Sequence, residues 1–282
     1  MRTTKRLKSR KKSALALLKT KLKITGFYLS GKIPWSKGYI EARDEYILRA
    51  LHIFRPGAGG IPFGYGKGFD ERVVEIPWVY QKINDRPGLL WDVGSVLNRE
   101  NLVLQSKIQK KQVIISNLNP ETKNLNFLGV SYLYEDCVQS VLQDEIFDEV
   151  LCISTLEHIG FDNKKYTGAA QSKKNKRLFL QAVSNFKAKL KKGGHALVTV
   201  PFGQRVDHGW FQVFDASLIQ KVITAFQPKK HTLDIYQCSR DGWRLSNMNA
   251  CSRSVFHDWG DARQCGGNIA GSEAVACIAL QK

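Results

Sequence analysis

The chain has 282 residues, 43% of them hydrophobic and 10% aromatic, which predicts a globular domain with one sizeable core plus an appendage. Its formal net charge of +18 favours anionic partners: nucleic acid, acidic lipid or a phosphorylated substrate carrier. No apolar run is long enough to span a bilayer, and the basic N-terminus lacks the apolar core and cleavage site of a secretory leader.

The charge gathers in residues 1–25. Ten Lys and Arg residues fall between Arg2 and Lys23, and no Asp or Glu occurs before Glu41. The run Ser13-Ala14-Leu15-Ala16-Leu17-Leu18 makes this segment either a basic amphipathic helix lying on an acidic membrane surface or a solvated tail. Residues 26–69 are rich in glycine and aromatics and end in a loop-forming stretch, Gly57 to Gly68, read as a lid or linker. Asp70 then reads as the N-cap of a helix covering Val73, Val74 and Ile76 and ending before Pro77.

From Leu89 the pattern alternates. Strands are predicted at Leu89–Val93, Val113–Ser116, Val130–Tyr134, Val150–Ser154 and His195–Val200, with later ones at Thr232–Tyr236 and Ala274–Leu280. Leu178–Leu190 has helical spacing, with Gly193-Gly194 as its stop. The expectation is an α/β fold: a Rossmann-like, seven-stranded, mostly parallel sheet with helices on both faces, plus a basic N-terminal extension. Domain limits follow at 1–69 and 70–282. The six cysteines form no CxxC pair, Cys152 and Cys277 read as buried core thiols, and a Cys251–Cys265 disulfide stays open. A reduced, cytoplasmic setting is expected, with attachment to a membrane surface as the variant that the basic segment suggests. No metal site is predicted.

Four segments carry the chemistry. Leu89-Leu90-Trp91-Asp92-Val93-Gly94-Ser95 is a buried strand running into an acid, a glycine and a small polar residue, the pattern of a nucleotide-type cofactor site. Ile115-Ser116-Asn117-Leu118-Asn119-Pro120 ends the second strand. Phe147 to Gly160 holds the fourth strand and its loop, and Leu190 to Gly203 the turn and fifth strand. In this order the segments resemble a class I S-adenosylmethionine-dependent methyltransferase over roughly residues 70–282. The resemblance implies S-adenosylmethionine as cofactor. Asp92 would bind its ammonium, the backbone at Gly94 and Ser95 its methionine side, Asn117 the ribose and Asp136 the adenine, with Ser154 also at the site. The sequence departs from the family's D/E-x-G-x-G-x-G pattern at Val96 and Asn98, and Asn117 stands where an acid is usual.

The resemblance places Glu157 and His158 where methyl donor and acceptor meet, with Asp162 and Asp207 on nearby loops. His158 is read either as the group that takes the acceptor's proton or as a structural residue holding its loop. Tyr65 to Trp78 and Gly203 to Asp215 further resemble methyltransferases of bacterial surface-polysaccharide synthesis. His208, Trp210 and Arg205 become candidate substrate residues, since Trp210, Phe211 or Trp243 can stack on a sugar and Arg205 or Arg244 can pair with a phosphate or acidic sugar. The reading is O-methylation of a sugar or glycan intermediate. RNA methylation is the second, although no RNA-binding module accompanies the charge. The third is an inactive methyltransferase-fold subunit that only binds.

Overall fold

The computed structural model describes residues 2–57, 60–168, 175–257 and 271–282. Three helices come first: α1 (Arg2–Leu29), α2 (Tyr39–Ile53) and α3 (Arg72–Lys82). Then β1 (Gly88–Val93), the short α4 (Glu100–Val103) and α5 (Ser106–Gln109), β2 (Lys111–Asn117), β3 (Val130–Tyr134) and β4 (Phe147–Ile153) follow. The remainder is α6 (Lys164–Thr167), α7 (Leu178–Lys189), β5 (Leu190–Pro201), α8 (Ala216–Phe226), β6 (Lys230–Ser239), β7 (Gly242–Ser246) and β8 (Ala274–Gln281).

The strands form one eight-stranded sheet in the order β3-β2-β1-β4-β5-β8-β6-β7. Strands β1 to β5 pair in parallel, while β8, β6 and β7 join antiparallel. The order 3-2-1-4-5 is Rossmann-like, and it reverses direction between β1 and β4, where such sheets bind ligands. The sheet has one strand more than expected. β7 escapes the sequence because it is short and follows β6 across a tight turn at Arg240-Asp241. Its Trp243 is no exposed platform for a sugar: it is buried, and its indole N–H donates to Phe69 O at 3.0 Å.

Alternation along the central strands divides the core in two. Leu90, Leu151, Ile153 and Leu197 join one cluster with Val73, Val74 and Trp78 of α3. Trp91, Val150, Cys152 and Val198 join the other with Val183 and Phe186 of α7 and Val222 of α8. The first cluster also takes in Phe27, Tyr39, Ala42, Ile47, Phe54, Tyr65 and Phe69, so the segment preceding residue 70 contributes to the core.

Several expected boundaries move: β4 begins at Phe147, β5 at Leu190, and β6 runs from Lys230 to Ser239, each beyond its predicted limits. Helix α3 continues through Pro77 to Lys82 instead of stopping before it. Proline removes the N–H that would bond the carbonyl of Val73. The Tyr65 hydroxyl donates to that carbonyl instead, at 2.5 Å, and so offsets the lost hydrogen bond. Gly193-Gly194 do not stop α7, which ends at Lys189. They lie inside β5, in a bulge where the register against β4 jumps from Phe147↔Leu190 to Glu149↔His195. The bulge is held by Lys191 Nζ, 2.9 Å from the Asp148 carboxylate.

Asp70 caps α3 from one residue further out than expected: Glu71 is the N-cap, while Asp70 Oδ1 accepts from Arg72 N at 3.2 Å. Arg43 Nη1 pairs with Asp70 Oδ2 at 2.5 Å, both side chains buried, and Tyr39 Oη accepts from Asp70 N at 2.8 Å. The five described cysteines are buried free thiols, and Cys265 lies outside the described residues, as does any pairing with Cys251. No described helix is long and apolar enough to cross a membrane.

At the other end of the parallel strands, Lys111 Nζ lies 2.7 Å from Glu149 Oε2 with both side chains shielded from solvent. Asn84 N also donates to this carboxylate, at 2.6 Å. Removing one member strands the other charge in the core. Lys111→Met is therefore expected to cost about 3–5 kcal/mol of stability by urea denaturation. Lys111→Met/Glu149→Gln, which leaves an acceptor for Asn84, should recover most of the loss. A double variant as unstable as the single one would show that the ion pair is not the source.

Candidate functional site

Beyond the C-terminal ends of β1, β2 and β4 lies a cavity of about 380 Å³, within the range of small-molecule sites. Its walls come from Val93, Gly94 and Val96 after β1, Ser116 to Thr122 after β2, and Glu135 to Cys137 after β3. Ser154, Thr155 and His158 after β4 close another side, and Arg72 of α3 reaches it too.

The turn after β1 is built for close approach. Gly94 has φ 93°, and a Cβ there would collide with the Thr155 side chain. Gly94 N donates to Ser116 O at 2.9 Å, joining the ends of β1 and β2. Asp92 does not line the cavity. It is fully buried behind the turn, where its Oδ2 accepts from Leu97 N at 2.7 Å. Its Oδ1 has no hydrogen-bond partner among the described residues, and neither does the buried Ser95 Oγ. Burial raises the Asp92 carboxyl to about 7, against the opposing Leu97 N–H and with help from the charge of Glu121.

Four predicted cofactor residues do line the cavity, Gly94, Asn117, Asp136 and Ser154, while Ser95 does not. Asn117 Nδ2 donates to Glu121 Oε1 at 2.8 Å, so an acid stands beside the position where the sequence shows only an amide. Asp136 is exposed and caps its own loop, accepting from Val138 N at 2.9 Å. Neighbouring Glu135 is fully occupied in holding that loop, through Ser116 Oγ, Ser140 Oγ and Val141 N.

Ser154 has φ 40° and donates its hydroxyl to Glu75 Oε1 at 2.7 Å. Thr199 Oγ1 of β5 donates to the same oxygen at 2.8 Å, and Arg72 pairs with Oε2. Burial works against the Arg72 charge, but Glu75, Glu71 and Asp70 more than offset it and keep the guanidinium ionised. Arg72 is the one Lys or Arg among the described residues that line the cavity.

His158 lines the cavity as well. Its Nδ1 lies 3.1 Å from Trp210 O, and its ring packs 5.0 Å from that of Trp210. Glu157 lies behind it, buried, with Oε1 4.0 Å from His158 Nε2 and Oε2 without a hydrogen-bond partner among the described residues. Burial pushes the Glu157 carboxyl well above its usual range.

The remaining predicted residues, and with them Glu157 and Trp210, stand apart from the lining. Asp162 turns back to cap Lys164 N at 3.0 Å, and Asn163 takes a place in the wall instead. His208 stacks on Phe211 at 4.5 Å, outside the lining but joined to His158 through that ring. Arg205 is exposed on the same loop. Asp207 pairs with Lys176 at 2.5 Å, fastening the loop to the segment that leads into α7. The described residues hold no group of His, Cys, Asp and Glu suited to a metal ion.

The sequence reading missed Arg72 and Glu121. Arg72 had a signal in its i,i+3 spacing to Glu75, and Glu121 in the polar run Asn119 to Thr122, but neither pattern says what it faces.

No protein-family model matches the chain, and no curated protein matches it. Among solved structures it is similar to a SAM-dependent methyltransferase from Archaeoglobus fulgidus, with 14% identity over 77% of this chain and 96% of that one, at a TM-score of 0.47. It is also similar to the 1,6-didemethyltoxoflavin N1-methyltransferase of Burkholderia thailandensis, solved with S-adenosylhomocysteine, at 11% identity, 70% and 72% coverage and a TM-score of 0.42. The N-methyltransferase NodS of Bradyrhizobium japonicum, also solved with S-adenosylhomocysteine, gives 12% identity, 70% and 79% coverage and a TM-score of 0.39.

The buried acids make a pH prediction. With its native pKa near 7 against an ordinary 3.8, Asp92 keeps a proton that the unfolded chain has released. Its contribution to stability is complete below about pH 4 and is lost as pH rises to about 7. Glu71, raised to about 8 by burial and by Asp70 and Glu75, acts in the same direction. Thermal midpoints followed across this range should fall with rising pH, and fall less steeply in Asp92→Asn. An unchanged slope would remove Asp92 as a source of the pH dependence.

Proposed function

We propose that the chain is an S-adenosylmethionine-dependent methyltransferase acting on a hydroxyl of a sugar or glycan intermediate. The observation that carries this reading is the cavity at the β1/β4 switch point, with backbone exposed at Gly94 and the polar pair Asn117–Glu121 opposite. The donor set fits the cofactor. The close Gly94–Thr155 approach leaves no side chain between backbone and ligand, and Arg72, Asn117, Glu121 and Asp136 present a cation, an amide and two carboxylates to the cavity. Gly94 would face the amino-acid end, and Arg72 would hold its carboxylate as a charge-assisted pair. Asn117 and Glu121 would take the ribose hydroxyls, and Asp136 the adenine amino group. When bound, the cofactor supplies a methyl group on a sulfonium sulfur, open to in-line displacement.

His158 serves the acceptor. A proton on Nδ1, given to Trp210 O, leaves the lone pair on Nε2. Nε2 takes the proton of the acceptor hydroxyl as the oxygen attacks. Glu157, kept neutral by burial, places no second negative charge beside the reacting oxygen. Trp210 extends the wall from His158 as a flat apolar surface for a sugar ring, with His208 and Arg205 further along the loop.

Calorimetric titration with S-adenosylhomocysteine tests the cofactor assignment. Measurable binding is expected, weakened at least tenfold in Arg72→Gln and in Glu121→Ala. Absence of both heat and thermal shift in the wild type would overturn the reading. For the acceptor, methyl transfer from labelled S-adenosylmethionine is measured across hexoses and nucleotide sugars. His158→Ala should reduce it about 10²–10⁴-fold while S-adenosylhomocysteine affinity stays near that of the wild type. Equal loss of both would make His158 a structural residue.

A further inference from the structure

Helix α1 has two faces with different fates. Thr20 and Ile24 are half-buried and Phe27 fully buried, the i, i+4, i+7 face that packs on the body. Leu15, Leu18, Leu22 and Leu29 recur on the opposite face and are 54%, 54%, 63% and 83% exposed. Lys19 and Lys21 are exposed beside them, and seven more Lys and Arg residues precede Ser13. The helix spans 28 residues, about 42 Å. We propose that α1 lies in the headgroup layer of an anionic lipid bilayer, its leucine stripe inserted among the acyl chains and its lysines on the phosphates.

Charge and apolarity together select this occupant. Nucleic acid would satisfy the cations but leave four exposed leucines without reward, because phosphate contacts are electrostatic. A second copy seated on the stripe would set one dense array of cations against another. A bilayer with anionic lipid satisfies both features at once, and neither alone suffices for firm attachment.

The helix is joined firmly to the body. Lys23 Nζ pairs with Glu41 Oε1 at 2.5 Å, and a Cβ at Gly38 would run into the backbone of Lys23. Phe27 stacks on Phe69 with ring centroids 5.6 Å apart and meets Tyr39 edge-on at 5.7 Å. Three residues beyond Phe69, Arg72 lines the cavity. A bilayer-bound α1 therefore fixes how the cavity mouth stands relative to the membrane. The inference does not depend on what the cavity binds.

Flotation of the full chain with vesicles tests it, comparing phosphatidylcholine alone with phosphatidylcholine mixed with phosphatidylglycerol. Binding is expected only with the anionic mixture, with partition reduced at least tenfold in Leu18→Asp/Leu22→Asp and reduced in Lys19→Gln/Lys21→Gln. The leucine positions are exposed, so the thermal midpoint of their variant should match that of the wild type. Absence of binding to anionic vesicles overturns the proposal, as does undiminished binding by the leucine variant. So does a concentration-dependent dimer in sedimentation that the leucine variant abolishes without any vesicle binding by the wild type. Tight binding of an RNA oligonucleotide that displaces the protein from vesicles and is equally strong in the leucine variant also overturns it, assigning the surface to nucleic acid.

Discussion

A single buried carboxylate holds the site together. Glu75, fully shielded from solvent, accepts from Ser154 at the end of β4, from Thr199 within β5 and from Arg72 one helical turn earlier in α3. Left alone in the core, such a charge would cost several kcal/mol, and each of the three donors offsets part of that cost. The arrangement locks α3 against the C-terminal ends of the parallel strands. It also supports Ser154 at φ 40°, a conformation that costs a serine of order 1–3 kcal/mol unless its surroundings enforce it. The same bond network sets the Arg72 guanidinium at the cavity wall, so the interaction that holds α3 to the strand ends also positions that cation.

This explains why a helix interrupted by proline persists there. Val73, Val74 and Trp78 fill the core beneath the sheet while Arg72 and Glu75 meet the strand ends, and α3 has to span both jobs without a break. The Tyr65 hydroxyl makes the continuous helix tolerable by taking the carbonyl that Pro77 cannot serve. Tyr65 in turn sits in the aromatic cluster of Tyr46 and Phe54. The glycine-rich stretch before α3, which reads as a linker, thus carries an anchor on which the helix depends.

How much could be read from the sequence follows from how local each signal is. The central parallel strands were legible because burial on both faces makes them short apolar runs, and Leu89–Val93 differs from the folded strand by one residue. Strand β7 depends on a partner far along the chain, Phe69 for Trp243, and the course of α3 beyond Pro77 depends on a side-chain bond from the preceding loop, Tyr65 to Val73, which no helix pattern reports. The site divides in the same way. Gly94, Asn117, Asp136, Ser154 and His158 lie at strand ends or the loops after them, and the topology carries them to the cavity whatever their side chains do. Asp92 and Asp162 carry the right chemistry at nearly the right positions, but Asp92 turns under its loop and Asp162 caps a helix. The i,i+3 spacing of Arg72 and Glu75 reports their pairing but not that Ser154 and Thr199 hold Glu75, and with it Arg72, at the strand ends.

The turn after β1 and the loop after β2 are ordered together. Asn98, in the third glycine position, is buried and donates Nδ2 to Lys123 O at 3.0 Å, while its Oδ1 accepts from Tyr132 Oη at 2.8 Å. Tyr132 Oη also accepts from Leu125 N at 2.8 Å. A glycine at position 98 could make neither side-chain bond. The amide therefore ties the turn after β1 to residues 123–125 and to β3, closing the loop that carries Glu121. Glu121 then reaches Asn117, and the pair supplies at the end of β2 both the carboxylate and the amide that face the cavity. Asn98 and Glu121 thus sit at two ends of one set of side-chain bonds. It runs from the turn after β1 through residues 123–125 and β3, and it orders the loop after β2 that forms a wall of the cavity.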